Sequence, residues 1–185
     1  MSKWKEKNLG EITSLMVKGI TPKYAQIESS NTIRVLNQKC NRKFEISFEE
    51  SRLHNISLKK VPLEKILKPG DVLINSTGTG TAGRVAQIWS IPVPTTIDGH
   101  MILLRPTEEM DLLYYGYAIK ACALQIANFA EGSTGQTEIN RNRLKNEINI
   151  KYPTSLKEQH KIGRLLRTFD EKIKINNKIN KNLAA

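Results

Sequence analysis

The sequence predicts an α+β protein: a mixed β-sheet domain with packed helices over residues 1–152, followed by a long C-terminal coiled-coil helix over residues 153–185. Three observations predict it. Between residues 33 and 104, short apolar runs are punctuated by Gly and Pro at strand-like intervals. From Asp111 to about Phe129 the chain is apolar nearly all round, with Ala and Tyr throughout, as a helix packed on a sheet requires. From Pro153 to Leu183 no further proline occurs, and apolar or amide residues recur at alternating spacings of four and three.

In chain order, Trp4 to Met16 opens as a short amphipathic start with Trp4, Leu9 and Ile12 facing inward. KGITP, Lys18 to Pro22, is a turn by its Gly and Pro, and Lys23 and Tyr24 come directly after it. Ile33–Gln38 reads as a strand, and FEISFEE alternates well enough to be another. VPLEKIL is a short helical turn. Pro69-Gly70-Asp71 then turns the chain into a strand at Val72–Asn75, with a returning strand at Arg84–Trp89.

Between those two strands lies GTGTAG, Gly78 to Gly83, which matches a Gly-x-Gly-x-x-Gly pattern. A dinucleotide site needs that loop to open a helix, but RVAQIWSIPVP is strand-like and stopped by prolines. The segment therefore reads as a glycine-rich hairpin loop, where Thr77, Thr79, Arg84 and backbone amides can approach a partner backbone closely. After a turn, Met101–Leu104 is a strand ended by Pro106. The helix from Asp111 gives way to a polar loop, EGSTGQT. A basic helical turn, RNRLKNE, and a closing strand, INIKYP, lead into the terminal helix.

In that helix Thr154 or Ser155 can cap the first turn, with Lys157 where a full capping box needs an acid. The seam is Ile162, Leu166, Phe169, Ile173, Asn176, Asn180 and Leu183. Lys161, Lys172, Lys174, Lys178 and Lys181 fill the outer faces. Nearly thirty residues at about 1.5 Å each span roughly 40 Å, too long to bury against one small domain. Amides at Asn176 and Asn180 weaken a seam but fix its register and partner number, so the helix is expected to pair with a second one.

Composition narrows the function. Hydrophobic residues at 39% and charged ones at 25% are ordinary globular values, which excludes wholesale disorder. No run of about 18 apolar residues exists to span a membrane, and the N-terminus lacks a signal peptide's apolar stretch, so a cytoplasmic location is expected. Cys40 and Cys122 stand apart and read as reduced thiols, that on the Cys122 helix buried.

The net charge of +11 is unevenly placed. Residues 1–89 carry 15 Lys/Arg against 8 Asp/Glu, residues 90–138 carry 2 against 6, and residues 139–185 carry 12 against 4. Basic flanks around an acidic middle point to a polyanion, most economically nucleic acid. His54, His100 and His160 have no metal-ligand spacing, and His160 falls on an outer, solvent-facing position. Asp98 and His100 read as a turn rather than an acid–base pair. No nucleophile elbow, His-Glu-x-x-His or Walker loop occurs, nor the Asn/Asp-Pro-Pro-aromatic tetrad of amino-group methyltransferases. The chain reads as a binder rather than a catalyst.

The order WKEKNLGEI, KGITP, LKPGDVLINSTGTGTAGRVA, then EGSTGQTEINRNRLKNEINIKYPTSLKEQHKIGRLLRTFDEKIKINNKINKNL resembles the specificity subunits of type I restriction–modification systems. The strongest part is Gly132-Ser133-Thr134, then Ile148 to Pro153, then Glu158-Gln159, Ile162, Leu165, Asp170 and Ile173. The resemblance implies that residues 1–152 form a target recognition domain reading one half of a split site in double-stranded DNA. It implies that the long helix pairs antiparallel with a counterpart and docks methyltransferase subunits, and through them the restriction subunit. S-adenosylmethionine would belong to the methyltransferase, with no cofactor on this chain.

The usual subunit has two recognition domains and two such helices, whereas this chain has one of each. It is either a half-subunit working as a homodimer on an inverted repeat or one half of a longer chain, and the end at NLAA leans toward truncation. The side chains expected to contact DNA are Lys18, Thr21, Lys23, Tyr24, Thr77, Thr79, Arg84, Ser133, Thr134, Gln136, Arg141, Arg143 and Lys145. Two rival classes are a small dimeric coiled-coil DNA-binding regulator, which would normally show a helix-turn-helix, and an enzyme fragment, which the missing tetrad disfavours. The bases read are not legible.

Overall fold

The computed structural model describes residues 3–131 and 137–183. The first half is strand-rich: β1 Trp4–Asn8, β2 Thr13–Lys18, β3 Tyr24–Ala25, β4 Thr32–Leu36, β5 Asn41–Arg42, β6 Glu45–Ile46, β7 Arg52–Asn55, β8 Val72–Asn75 and β9 Val85–Gln87. Then come β10 Thr95–Ile97, β11 Met101–Pro106, α1 Leu112–Ala121, α2 Ala123–Ala127, β12 Ala130–Glu131 and β13 Glu138–Ile139. The chain closes with α3 Arg141–Glu147, β14 Asn149–Pro153 and α4 Leu156–Leu183.

A four-stranded antiparallel sheet in the order β2-β11-β8-β9 forms the centre. Its strands are apolar on both faces, and the period-2 alternation divides them between two cores. Val72, Ile74, Ile102 and Leu104 join Tyr115, Ile119, Leu144 and Tyr152 on the helical side. Leu73, Met101 and Leu103 join Leu36, Cys40 and Ile97 on the other side. That second side is covered by a mixed sheet, β10-β4-β7-β3, in which β10 runs parallel to β4 and the other pairs are antiparallel. β1 pairs with β14, which brings the start of the chain beside the entry to α4.

At the β11 register shift between Arg105 and Pro106, Arg105 locks the central sheet. Its Nε and Nη2 donate to the two Asp71 carboxylate oxygens, each at 2.8 Å, and Nη2 also reaches the Ile66 carbonyl at 3.2 Å. Asp71 in turn accepts from the Lys68 amide, so the Pro69-Gly70 turn is tied to the strand after it.

Several sequence expectations need correction. Trp4 does not face inward: it is 52% exposed on β1, while Leu9 and Ile12 are buried as expected. FEISFEE is not a strand along its length. Lys43 and Phe44 turn the chain with positive φ, leaving only Glu45–Ile46 paired with Asn41–Arg42. A strand without a periodic signal is β7, whose buried His54 accepts from the Lys23 amide through Nδ1, leaving Nε2 to donate to the Lys59 carbonyl. The single helix from Asp111 to Phe129 is two: α1 closes at Cys122 and α2 restarts at Ala123. Cys40, rather than Cys122, is the fully buried thiol. The glycine-rich segment is a hairpin loop as expected, and Gly83 is required there, because φ is +83° and a side chain would run into Ala127 of α2.

This packing can be tested at two carboxylates. Asp71→Ala strands the Arg105 guanidinium in a mostly buried site and is expected to cost about 3–5 kcal/mol in urea unfolding. A cost below about 1 kcal/mol, the range of an exposed pair, would count against the lock. Glu109 accepts from Lys7 Nζ at 2.7 Å and from the Tyr152 hydroxyl at 3.0 Å, and the Lys7 bond holds its carboxyl below the usual 4.5 despite opposing desolvation. A depressed folded-state value means stability present above 4.5 and lost as pH falls through the lower folded value. Glu109→Gln should therefore flatten the acid limb of Tm against pH, and an unaltered limb would argue that Glu109 is not a contributor.

Candidate nucleic-acid interface

Three patches carry the candidate side chains. The first is the end of the central sheet where β2 leaves, β8 turns into the glycine loop and β11 begins. Lys18, Thr77, Thr79, Arg84 and His100 converge there. Thr77 bridges to Glu138, and its hydroxyl lies 2.8 Å from His100 Nδ1. Lys18 forms an ion pair with Glu138. Arg84 folds back, donating from Nη2 to the Gly80 carbonyl at 3.1 Å, while Thr81 donates to the carbonyls of Thr77 and Gly78. Thr79 is exposed at the tip.

Beneath this rim Asn75 Oδ1, Ser76 Oγ and Asn41 Oδ1 are buried and without a hydrogen-bond partner among the described residues. Asp98 serves the turn, as expected: its carboxylate accepts from the His100 amide at 2.9 Å, and burial pushes its carboxyl up.

The second patch surrounds β3. Thr21, Lys23 and Tyr24 are exposed, with the Arg52 guanidinium 4.9 Å from the Tyr24 ring centroid. Lys59 Nζ donates to the Thr21 carbonyl at 3.0 Å. Arg52, Lys59 and Lys60 thus add cations that sequence reasoning missed. The Lys59-Lys60 pair was a visible signal, whereas Arg52 required knowing that β7 pairs with β3. The Ile20–Asp98 bridge joins this patch to the rim.

The third patch is α3. Asn140 caps it, accepting from the amides of Asn142 and Arg143. Arg141 is exposed at its first turn. Arg143 is committed elsewhere: it pairs with Glu147 and Glu131, each at 2.9 Å, and stacks over Phe129 at 4.5 Å. Lys145 runs across Gly10, where a side chain would collide with it. A groove of about 710 Å³ lies between α3 and β2, lined among others by Ser14, Met16, Glu138, Arg141 and Lys145. Ser133, Thr134 and Gln136 lie outside the described residues. The arrangement can hold a polyanion by cations and hydroxyls. Among the described residues no cluster of His, Cys, Asp and Glu could hold a metal.

α4 is tethered to the domain from its first turn as far as Lys174, which pairs with Glu45. Ile162 packs partly buried against the helical core, so it serves its own domain rather than an open seam. Leu166, Phe169, Ile173 and Leu183 are exposed, Ile173 by 56%. Ile175 and Ile179, outside the expected seam, are exposed as well, on a different side of the helix from Leu166 and Ile173. His160, expected to face solvent, is half-exposed but engages Asp111 at 2.9 Å.

The family model described as the type I restriction modification DNA specificity domain matches residues 1–185, and the chain belongs to that family. Among solved structures, the S subunit of a type I restriction–modification system from M. genitalium is similar at 19% identity, with a TM-score of 0.63 and 94% of this chain covered. A structure described as addressing complex assembly and conformational transition of the type I R-M system is similar at 18% identity and a TM-score of 0.66, covering 93%. The HsdS subunit from Thermoanaerobacter tengcongensis is similar at 18% identity and 0.64, also covering 93%. These likenesses show the shared fold. The chain spans 40%, 39% and 38% of those three chains. No curated protein sequence matches it.

Proposed function

We propose that this chain recognises one half of a bipartite DNA site and directs methyltransferase and restriction subunits to it, itself without catalytic activity. The observation that carries the reading is the specificity-domain match over residues 1–185. It also favours this reading over a small coiled-coil regulator. The basic flanks and the three cation-bearing patches agree with it.

In this proposal residues 1–152 are the recognition domain and residues 153–185 the spacer and docking helix. Lys18, Lys23, Arg52, Lys59 and Arg141 meet phosphates, and Thr77, Thr79, Tyr24 and the glycine loop approach base edges. The free apolar face of α4 pairs with the helix of a second copy, so that two domains read an inverted repeat, and methyltransferase subunits carrying S-adenosylmethionine dock alongside. No helix among the described residues is long and apolar enough to cross a membrane. The site of action is the cytoplasm, where the cell's DNA is.

Titrating duplex binding against salt tests the patches. Arg141→Ala is expected to weaken binding to all sequences and flatten the salt slope by about one unit. Glu138→Gln, by freeing Lys18, is expected to strengthen it and steepen the slope by about the same amount. Unchanged affinity and slope in both variants would remove the Lys18 rim and the start of α3 from the interface. In sedimentation, Ile173→Asp should convert a dimer of the parent to monomer, and equal masses would refute pairing through α4.

A further inference from the structure

The structure assigns Gln159 as the positioning residue that sets the angle of α4 to the folded domain, and with it the gap between the two DNA half-sites. The inference rests on the bipartite reading above and adds the device that enforces it. Gln159 is fully buried in the first turn of α4 and joins three separate backbone positions. Its Oε1 accepts from the Asp111 amide at 2.8 Å, and its Nε2 donates to the carbonyls of Glu109 at 3.0 Å and Pro153 at 2.9 Å. No apolar side chain can satisfy those three groups at once, so the amide specifies one seating of the helix.

The neighbours tighten it. His160 Nδ1 lies 2.9 Å from the second oxygen of Asp111, whose first oxygen caps α1 by accepting from the Tyr114 amide. At Gly163 a Cβ would fall 2.7 Å from Leu113 Cβ and 2.9 Å from the Tyr114 nitrogen, so α1 and α4 touch backbone to backbone. Two turns beyond Gly163, Asp170 Oδ2 accepts from the Tyr117 hydroxyl at 2.9 Å and Lys120 Nζ at 2.7 Å. Lys174 meets Glu45 at 2.7 Å, the last such tether along α4 among the described residues.

Magnitude shows why an angular lock matters. From Gln159 to Leu183 the helix is a lever of about 36 Å at about 1.5 Å per residue. A tilt of about 5° at its base moves the far end by about 3 Å, close to the roughly 3.4 Å rise of one base pair. Discriminating gaps that differ by one base pair therefore requires the seating to hold within a few degrees. Surface ion pairs alone are too loose and too easily screened to do this, whereas a buried three-way amide is not.

The test compares Gln159→Leu with the parent in complex with its methyltransferase subunit. Bound duplexes are selected from a library in which both half-sites and the gap vary. In parallel, spin labels at Leu58→Cys and Lys181→Cys, in a Cys122→Ser background, report the domain-to-helix distance by electron resonance. The parent is expected to select one gap and show a narrow distance distribution. Gln159→Leu is expected to keep the same half-site bases while the distribution widens. Neighbouring gaps, rejected about tenfold by the parent, should come within about threefold.

A variant with the parent's single gap, or with an unwidened distribution, overturns the assignment. If the parent selects no split site, the recognition reading itself fails, and the distance measurement still reports on the lock separately. Should Gln159→Leu not fold, Gln159→Asn, which keeps the amide but is one methylene too short to reach all three backbone groups, takes its place and is judged by the same two outcomes.

Discussion

Burial of the central sheet on both faces is the constraint on which the rest of the molecule depends. Because Leu73 points to one core and Val72 and Ile74 to the other, a slip of one residue in β8 would exchange the two cores wholesale. The register is therefore strongly specified, and Arg105 with Asp71 pins it at the point where β11 departs from regular pairing. A sheet held this firmly gives the Asn75–Arg84 and Asp98–Met101 turns fixed bases, so its loop end can present polar side chains without disturbing the core.

The electrostatics look different once partners are known. A net charge of +11 reads as a reservoir of free cations, yet Lys18, Lys120, Arg143 and Lys174 each have a carboxylate partner. Exposed pairs of this kind contribute at most about 1 kcal/mol and are screened by salt. Their larger effect is orientation: Glu138 holds Lys18 at the rim, and Asp170 draws Lys120 and Tyr117 against α4. A polyanion competing for such a cation must displace a carboxylate, which makes binding depend on local pairing as well as on total charge.

Much of the fold was legible because it was written in local periodicity. Val72–Asn75 and Met101–Pro106 are short apolar runs bounded by turn residues. The glycine loop could be told from a nucleotide loop because a strand, not a helix, comes after it. The passages that misled were those where one residue's environment lies far away. RLHN does not look like a strand, because its inward residue is a histidine whose partners are the Lys23 amide and the Lys59 carbonyl. FEISFEE alternates as a strand should, yet the left-handed turn at Lys43 and Phe44 leaves most of it unpaired. Arg143 looked like any other cation of RNRLKNE until Glu131, twelve residues upstream, was placed beside it.

By itself the sequence determined the α+β class, the basic flanks and a terminal helix over residues 153–185, found at Leu156–Leu183, since helix period and cap chemistry sum over neighbouring residues. Only the tertiary structure decided which side chains of that helix are committed: Ile162 and Gln159 to the domain, Phe169 and Ile173 to solvent. The physical reason is distance along the chain. The Gln159 side-chain carbonyl finds its donor at Asp111, 48 residues away, and no local pattern encodes a contact that exists only after the sheet has folded.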